Sequence, residues 1–514
     1  MPGVQAAHTS RSRPQLWLVG LVALSLASAS VPLVYLGVRA SAVPFTQILE
    51  ILSRPQVGML VVNTIGLSLS VALSAVIMGT TIAAILSRLQ VGGNRIWLLV
   101  SALPLAVPSY LASYGWLVVS PGLDGFAPSY ALLTAVTVPY VILPVAAALR
   151  GTSAGAESVA RTLGLGPIEA FRKVTWPRVR PAAIAGGLLV FLYSLSDFGL
   201  VSMLRFPTLT WGVQQAYGSS FDRSQAAILA LLLVVIALVV VSAERSARGL
   251  VTQSSSVPSP LEPISRPVWM VVMLLVSLPP LIGVVVPLVG LGIRLANAQT
   301  LREIDGTRLI VATSMTVGVS LVAAVVALVL ALPIAALAAR YSTRWAGALE
   351  GLGYLSHGLP GIVVGLSLVF FSLQVVPALY QSVVVLVFAY AVLFMPKALG
   401  TARASIEAVS PDLVSVARTL GSSPLSAWRR VTLPLALPGL GIGALLVAIA
   451  TMKELPATLL LRPIGANTLA TELWTRTAAG EFGAAAPYAA LLVLVAAIPA
   501  MILSGVRPGA KEAL

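Results

Sequence analysis

Three ionisable residues stand in stretches otherwise built of apolar side chains: Asp197, and the adjacent pair Lys453 and Glu454. Ionisable groups in hydrocarbon are costly, so such residues border a passage, reach to an interface or hold an ion pair, as Lys453 could with its neighbour. Carboxylate oxygens could also serve a hard cation. Asp197 follows Pro181 by 16 residues, and Glu454 follows Pro438 by the same interval. Along a helix that interval is about 24 Å, which reaches the far part of a hydrocarbon core roughly 30 Å thick. The second feature is a duplicated basic segment. Ser-Val-Ala-Arg-Thr-Leu-Gly occurs at Ser158–Gly164 and again at Ser415–Gly421. Each copy continues with a proline (Pro167, Pro424), an aromatic (Phe171, Trp428), a basic pair (Arg172–Lys173, Arg429–Arg430) and a second proline (Pro177, Pro434). Groups of these types bind partners; they are not a catalytic set. The chain has no cysteine and only two histidines, His8 and His357, which excludes thiolate chemistry and a histidine-built metal centre. It also lacks a G-x-x-x-x-G-K-[ST] phosphate loop, so nucleotide energy would have to be supplied by a partner.

The elements that position these groups follow from composition. Of 514 residues, 58% are hydrophobic and 10% charged, more apolar surface than a water-soluble fold hides. Long apolar windows recur, which predicts an all-α polytopic membrane protein; open sheets are excluded because backbone groups in lipid must pair within the segment. Twelve transmembrane helices are expected near 15–39, 58–86, 96–119, 127–149, 181–204, 225–243, 267–293, 308–339, 346–374, 379–400, 438–461 and 484–506. The first follows Arg11 and Arg13 as a signal peptide would, but it is too long and lacks a small-x-small cleavage site. With the N-terminus inside, the inner segments carry 22 Lys/Arg against 8 Asp/Glu, and the outer ones 10 against 9. That asymmetry is the positive-inside pattern. It accounts for the net charge of +15 by topology and anionic lipid, without nucleic acid, and puts both termini in the cytoplasm.

The chain divides into a first transmembrane domain (1–243), a cytoplasmic linker (244–266) and a second transmembrane domain (267–514). The run Gln253–Pro260 is serine- and proline-rich, as connectors are. Six helices per half leave both halves in one orientation, a parallel repeat. Across the halves, Val62-Asn63-Thr64 is set against Val311-Ala312-Thr313, Arg88 against Arg340, Pro108 against Pro360 and Pro144 against Pro396. The shared prolines predict kinked or broken helices lining a pathway.

Each duplicated loop, 158–181 and 415–438, falls between the fourth and fifth helix of its half. A short helix carrying Arg161 or Arg418 should end at Gly164 or Gly421 in a left-handed conformation. A second should start with Pro167 or Pro424 at its first position, capped by Ser423 in the second copy and with Gly166 at that place in the first. Pro177 and Pro181, or Pro434 and Pro438, should end it and launch the next membrane helix. The spacing of Ile168 with Phe171, and of Leu425 with Trp428, predicts an amphipathic helix with a protruding aromatic, the anatomy of an interaction hot spot. The alternative is a helix lying on anionic headgroups, which does not require the same glycine and prolines twice.

These loops resemble the signature of permease subunits of binding-protein-dependent ABC importers, E-A-A-x3-G-x9-I-x-L-P. Gly164, Val174, Trp176 and Pro177 match it in the first half, and Gly421, Val431, Leu433 and Pro434 in the second. Ser158-Val159-Ala160 and Ser415-Val416-Ala417 stand in place of Glu-Ala-Ala, and Trp176 in place of leucine. The fused arrangement is similar to ferric-iron permeases. It shares with them Ser196-Asp197-Phe198-Gly199, Phe206–Thr210, Met452–Thr458, Leu461-Arg462-Pro463 and Thr468–Thr471. The framework is also shared with thiamine, phosphonate and polyamine permeases. The resemblance implies a type I importer fold. It implies docking of two cytoplasmic ATP-binding subunits at Arg161, Gly164, Pro167, Phe171, Arg172, Lys173 and Pro177, and at Arg418, Gly421, Pro424, Trp428, Arg429, Arg430 and Pro434. One extracytoplasmic solute-binding protein would deliver cargo. No cofactor is expected on this chain, with ATP and Mg used by the partner. Asp197, Lys453 and Glu454 are expected at a gate or pathway. A gradient-driven secondary transporter is the alternative class, disfavoured because its carboxylates should lie nearer the midplane.

Overall fold

The computed structural model describes residues 15–150, 154–218, 223–248, 261–297, 304–341 and 343–505. His8, the Gln253–Pro260 run, both extreme termini and the side chains of Pro167, Ile168 and His357 lie outside this description. Among the described residues, ten helices are long and apolar enough to cross a membrane. They cover ten of the twelve expected spans. The remaining two, the third helix of each half, are broken. Asn94–Ala106 and Ser109–Val119 meet at 90°, and Arg344–Gly353 is separated from Gly361–Val375 by a short 3-10 turn. The breaks fall at the shared Pro108 and Pro360. A residue before proline is held out of the helical region, and Val107 (ψ 122°) and Leu359 (ψ 124°) are extended. Pro144 and Pro396, by contrast, lie inside helices.

The fifth helix of each half ends earlier than expected, at Ser196 and Met452 rather than near 204 and 461. Asp197 and Glu454 stop it, and each begins a new short helix, Gly199–Met203 or Pro456–Leu461.

Packing divides the chain into two compact units that differ from the sequence halves. One contains 305–472 together with the leading helix of the first half, Leu16–Ser41, which lies against Gly361–Val375 and Gly306–Arg340. The other contains 42–304, and so includes the leading helix of the second half, Arg266–Leu295, against Ser109–Val119. In the first unit a stripe of Ala324, Ala327, Ala331 and Ala335 faces Ala391, Ala398 and Ala402 of the Val383–Glu407 helix. Small side chains at three- and four-residue spacing let two membrane helices approach closely. In the second unit Val71, Ala75 and Ile82 pack against Val141, Ile142 and Val145.

The register between halves needs one correction. Thr64 Oγ1 accepts the backbone N–H of Leu209 at 2.8 Å, and Thr316 Oγ1 accepts that of Leu469 at 2.9 Å. Thr316, three residues beyond Thr313, is therefore the counterpart of Thr64. That register also agrees with the Arg88/Arg340 and proline pairs.

Candidate functional site

The two loops fold alike. Ala154–Thr162 and Pro411–Thr419 are helices. In the first, the N–H of Gly164 bonds the carbonyl of Arg161 and that of Leu165 bonds Ala160. In the second, Gly421 bonds Arg418 and Ser422 bonds Ala417. This paired closure requires a left-handed residue, and Gly164 and Gly421 have φ +92° and +87°. Pro167 and Pro424 then open a four-residue helix each, and Ser423 Oγ accepts from Ser426 N–H at 3.3 Å.

Beyond this the loops depart from expectation. Pro177 and Pro434 do not end the second helix. Each sits at the start of a helix that continues from it through a five-residue π-turn, Phe171–Thr175 or Trp428–Thr432. Proline removes one donor from the ladder, and the wide turn shifts the register at that place, with Trp176 N–H bonding Phe171 O and Leu433 N–H bonding Trp428 O. Pro181 and Pro438 lie within the same helices. The aromatics do not protrude: the loop's first helix packs on the π-turn, and Phe171 and Trp428 are half-buried. The most exposed apolar groups are Leu163 (80%) and Leu420 (81%), with Val159 (57%) and Val416 (56%) one turn earlier; Leu425 of the expected stripe is exposed as well. The first four, inside the duplicated seven residues, escaped the sequence reading because a leucine at a helix end carries no compositional mark.

Charge distinguishes the loops. Arg161 pairs with Glu262, and Lys173 with Glu169 at 2.6 Å. Arg172, Arg418, Arg429 and Arg430 are exposed, with no ion pair among the described residues. The signature glutamate missing from position 158 is supplied one residue earlier. Glu157 bridges to Arg88 at 2.9 Å and accepts from Thr175 Oγ1 at 2.8 Å, tying the loop to the end of the Pro55–Arg88 helix and to the π-turn. In the second loop Val414 takes that place, and Arg340 instead donates to the carbonyl of Val409 at 3.3 Å.

The membrane carboxylates occupy equivalent, buried positions. Asp197 Oδ1 accepts the N–H groups of Leu200 (3.0 Å) and Val201 (3.4 Å), and Oδ2 accepts Ser109 Oγ at 2.5 Å. Glu454 accepts the N–H groups of Ala457 and Thr458, both at 3.0 Å, and Thr458 Oγ1 at 2.7 Å. Each caps its short helix in the manner of an acidic N-cap. Ser109 and Gly361 both follow the breaking proline. A Cβ on Gly361 would collide with the Glu454 carboxylate, so the longer acid requires glycine there, whereas the shorter one meets serine. Lys453 closes the preceding helix beside Glu454.

The model of the family described as binding-protein-dependent transport system inner membrane component matches residues 72–248 and again 331–506. The chain belongs to this family: it is an ABC importer permease, an integral membrane protein carrying the family repeat twice in the type I importer fold. It is similar to the Fe(3+)-transport system permease protein FbpB 2 of Haemophilus influenzae, with 32% identity over 508 residues, 96% of this chain and 98% of the relative. It is 29% identical over 233 residues to the molybdenum transport system permease protein ModB of Mycobacterium tuberculosis, which covers 41% of this chain and 86% of that one. A third relative is the "Probable sulfate transport system permease protein cysT" of Helicosporidium sp. subsp. Simulium jonesii, 29% identical over 199 residues, 36% of this chain and 74% of that one.

Proposed function

We propose that this chain is the whole membrane-spanning part of an importer, its loops at 158–181 and 415–438 each receiving one of two cytoplasmic ATP-binding subunits. One extracytoplasmic solute-binding protein delivers the cargo, for which ferric iron is the first choice on the relative that spans nearly the full chain. ATP and Mg are used by the partner, and this chain performs no catalysis of its own. Both termini are cytoplasmic. The observation that carries the reading is the repetition of one apolar knob, Val159 with Leu163 and Val416 with Leu420, on two loops of the same fold. An apolar centre with a basic rim, Arg172–Lys173 or Arg429–Arg430, fits a protein groove. Closure of the ATPase pair would move these handles and rock the helices attached to them. Each loop runs without a break into its fifth membrane helix, which ends at Asp197 or Glu454. Movement of the knob is thereby delivered to the carboxylate-capped turns, and Asp197, Glu454 and Lys453 act in the gate by holding those turns.

Leu163→Glu combined with Leu420→Glu tests this. The double variant should insert normally but lose co-purification with the ATPase subunit and at least tenfold in ATP-driven uptake. Full association and uptake in the double variant would contradict it.

A further inference from the structure

Matched apolar knobs stand on the two loops amid unmatched charge. Leu163 and Leu420 are 80% and 81% exposed, and each loop carries three cations at corresponding positions: Arg161, Arg172 and Lys173 in the first, Arg418, Arg429 and Arg430 in the second. In the first loop two of the three already meet a carboxylate. Arg161 pairs with Glu262, and Lys173 pairs with Glu169 at 2.6 Å. In the second loop none of the three has an ion pair among the described residues. Ser426 and Val414 stand there in place of Glu169 and Glu157. The acid this loop retains, Asp412, is in the first turn of Pro411–Thr419, at the far end from Arg418.

The fold itself places Glu262. It comes from the linker, 101 residues from Arg161 in sequence. Parallel pairing of Glu262–Pro263 with Leu89–Gln90 fixes it, and Trp269 Nε1 donates to the carbonyl of Val91 at 3.0 Å just beyond. Ion pairs this exposed add little to stability; their effect is on the charge the loop presents. The guanidinium fork matches carboxylates in geometry as well as charge, so exposed, unpaired arginines on a loop with an apolar knob call for acids on whatever covers it. Arg178 and Arg180 lie past the π-turn on Trp176–Ser196, where the second half has Leu435 and Leu437. They belong to the membrane helix, at whose end basic side chains meet anionic headgroups.

We infer that the groove of the ATP-binding subunit is rimmed with carboxylates, which meet Arg418, Arg429 and Arg430 of the second loop as Glu262 and Glu169 meet Arg161 and Lys173 within the first. The two docking points are therefore unequal. The second is steered and held by charge as well as by its knob, whereas the first relies on its knob and Arg172. The inference deepens the importer reading and rests on it for the partner; the charge difference between the loops can be measured with no partner present.

The chain contains no cysteine, so Leu163→Cys and Leu420→Cys each provide a single thiol at matched exposure. With the full chain in zwitterionic nanodiscs at low salt, each thiol is treated with anionic methanethiosulfonate ethylsulfonate and with its cationic ethyltrimethylammonium analogue. The anionic-to-cationic rate ratio should be about fivefold higher for Leu420→Cys, the effect of one extra charge ~8 Å away in water. Adding Glu262→Gln should raise the ratio for Leu163→Cys, and adding Arg418→Gln should lower it for Leu420→Cys. Docking is then read one loop at a time, with the purified ATP-binding subunit and full chains carrying Leu163→Glu or Leu420→Glu. Raising salt from about 50 to about 300 mM should weaken association about tenfold where only the second loop is intact, and less than about threefold where only the first is. Equal ratios at the two thiols, equal salt slopes, or a slope that appears only in anionic lipid would overturn the inference. Failure of the importer reading has a separate signature: neither single-loop variant binds the subunit at any salt, while the two ratios still differ.

Discussion

Serine with aspartate, and glycine with glutamate, meet the same demand at the two ends of the repeat: each pair places a carboxylate over the first N–H groups of a short buried helix. The exchange predicts a coupled pair of substitutions. Asp197→Glu alone should overpack against Ser109 and lower stability by about 1–3 kcal/mol. Adding Ser109→Gly should recover most of it, seen as the thermal unfolding midpoint of the purified chain in detergent; strict additivity of the two changes would refute the shared geometry. Gly421→Ala tests the turn. The left-handed conformation there costs an L-residue about 1–2 kcal/mol. A Cβ would meet nothing within 4 Å, so conformation alone is tested. Amide exchange over 411–421 should quicken several-fold, and unchanged exchange would show the turn tolerates a side chain. These details were only partly legible. The equivalence of Asp197 and Glu454 could be read from proline spacing, but their capping role could not, because an unbroken apolar run forecast a fifth helix continuing past them, whereas it ends at Ser196 and Met452.

At the level of elements, the duplicated loop was the most readable part, since glycine, proline and serine report backbone geometry directly. The bend at Pro108 and Pro360 was readable for the same reason. The π-turns were not. Proline at 177 and 434 forecasts an end to the helix, and only the register shift at Phe171 and Trp428 lets it continue. That continuity gives each loop a rigid connection to its membrane helix. The loops are also anchored differently. Glu157→Gln should weaken the tie to Arg88, whose side chains are 17% and 18% exposed, by roughly 2 kcal/mol, between exposed and buried pairs. Limited proteolysis should then attack the first loop sooner and leave the second unchanged; equal sensitivity of both would count against the anchor. Glu262, which pairs with Arg161, also belongs to a two-residue parallel pairing of Glu262–Pro263 with Leu89–Gln90. The linker thus reaches the first loop, as nothing in its composition suggests.

For the whole molecule, composition and charge placement identified a membrane protein of two repeats, because lipid allows few alternatives to helices. The exchange of leading helices between the compact units was hidden, since the Leu16–Ser41 and Arg266–Leu295 sequences are uniformly apolar and name no partner. Docking of the ATP-binding subunits requires both knobs to face the cytoplasm. Leu163→Cys and Leu420→Cys, made singly in this cysteine-free chain, can be treated with a membrane-impermeant maleimide. Both should stay unlabelled in intact cells, react in inverted vesicles, and be shielded there when the ATP-binding subunit is bound. Labelling of either thiol in intact cells, or full labelling in vesicles with the subunit bound, would contradict it.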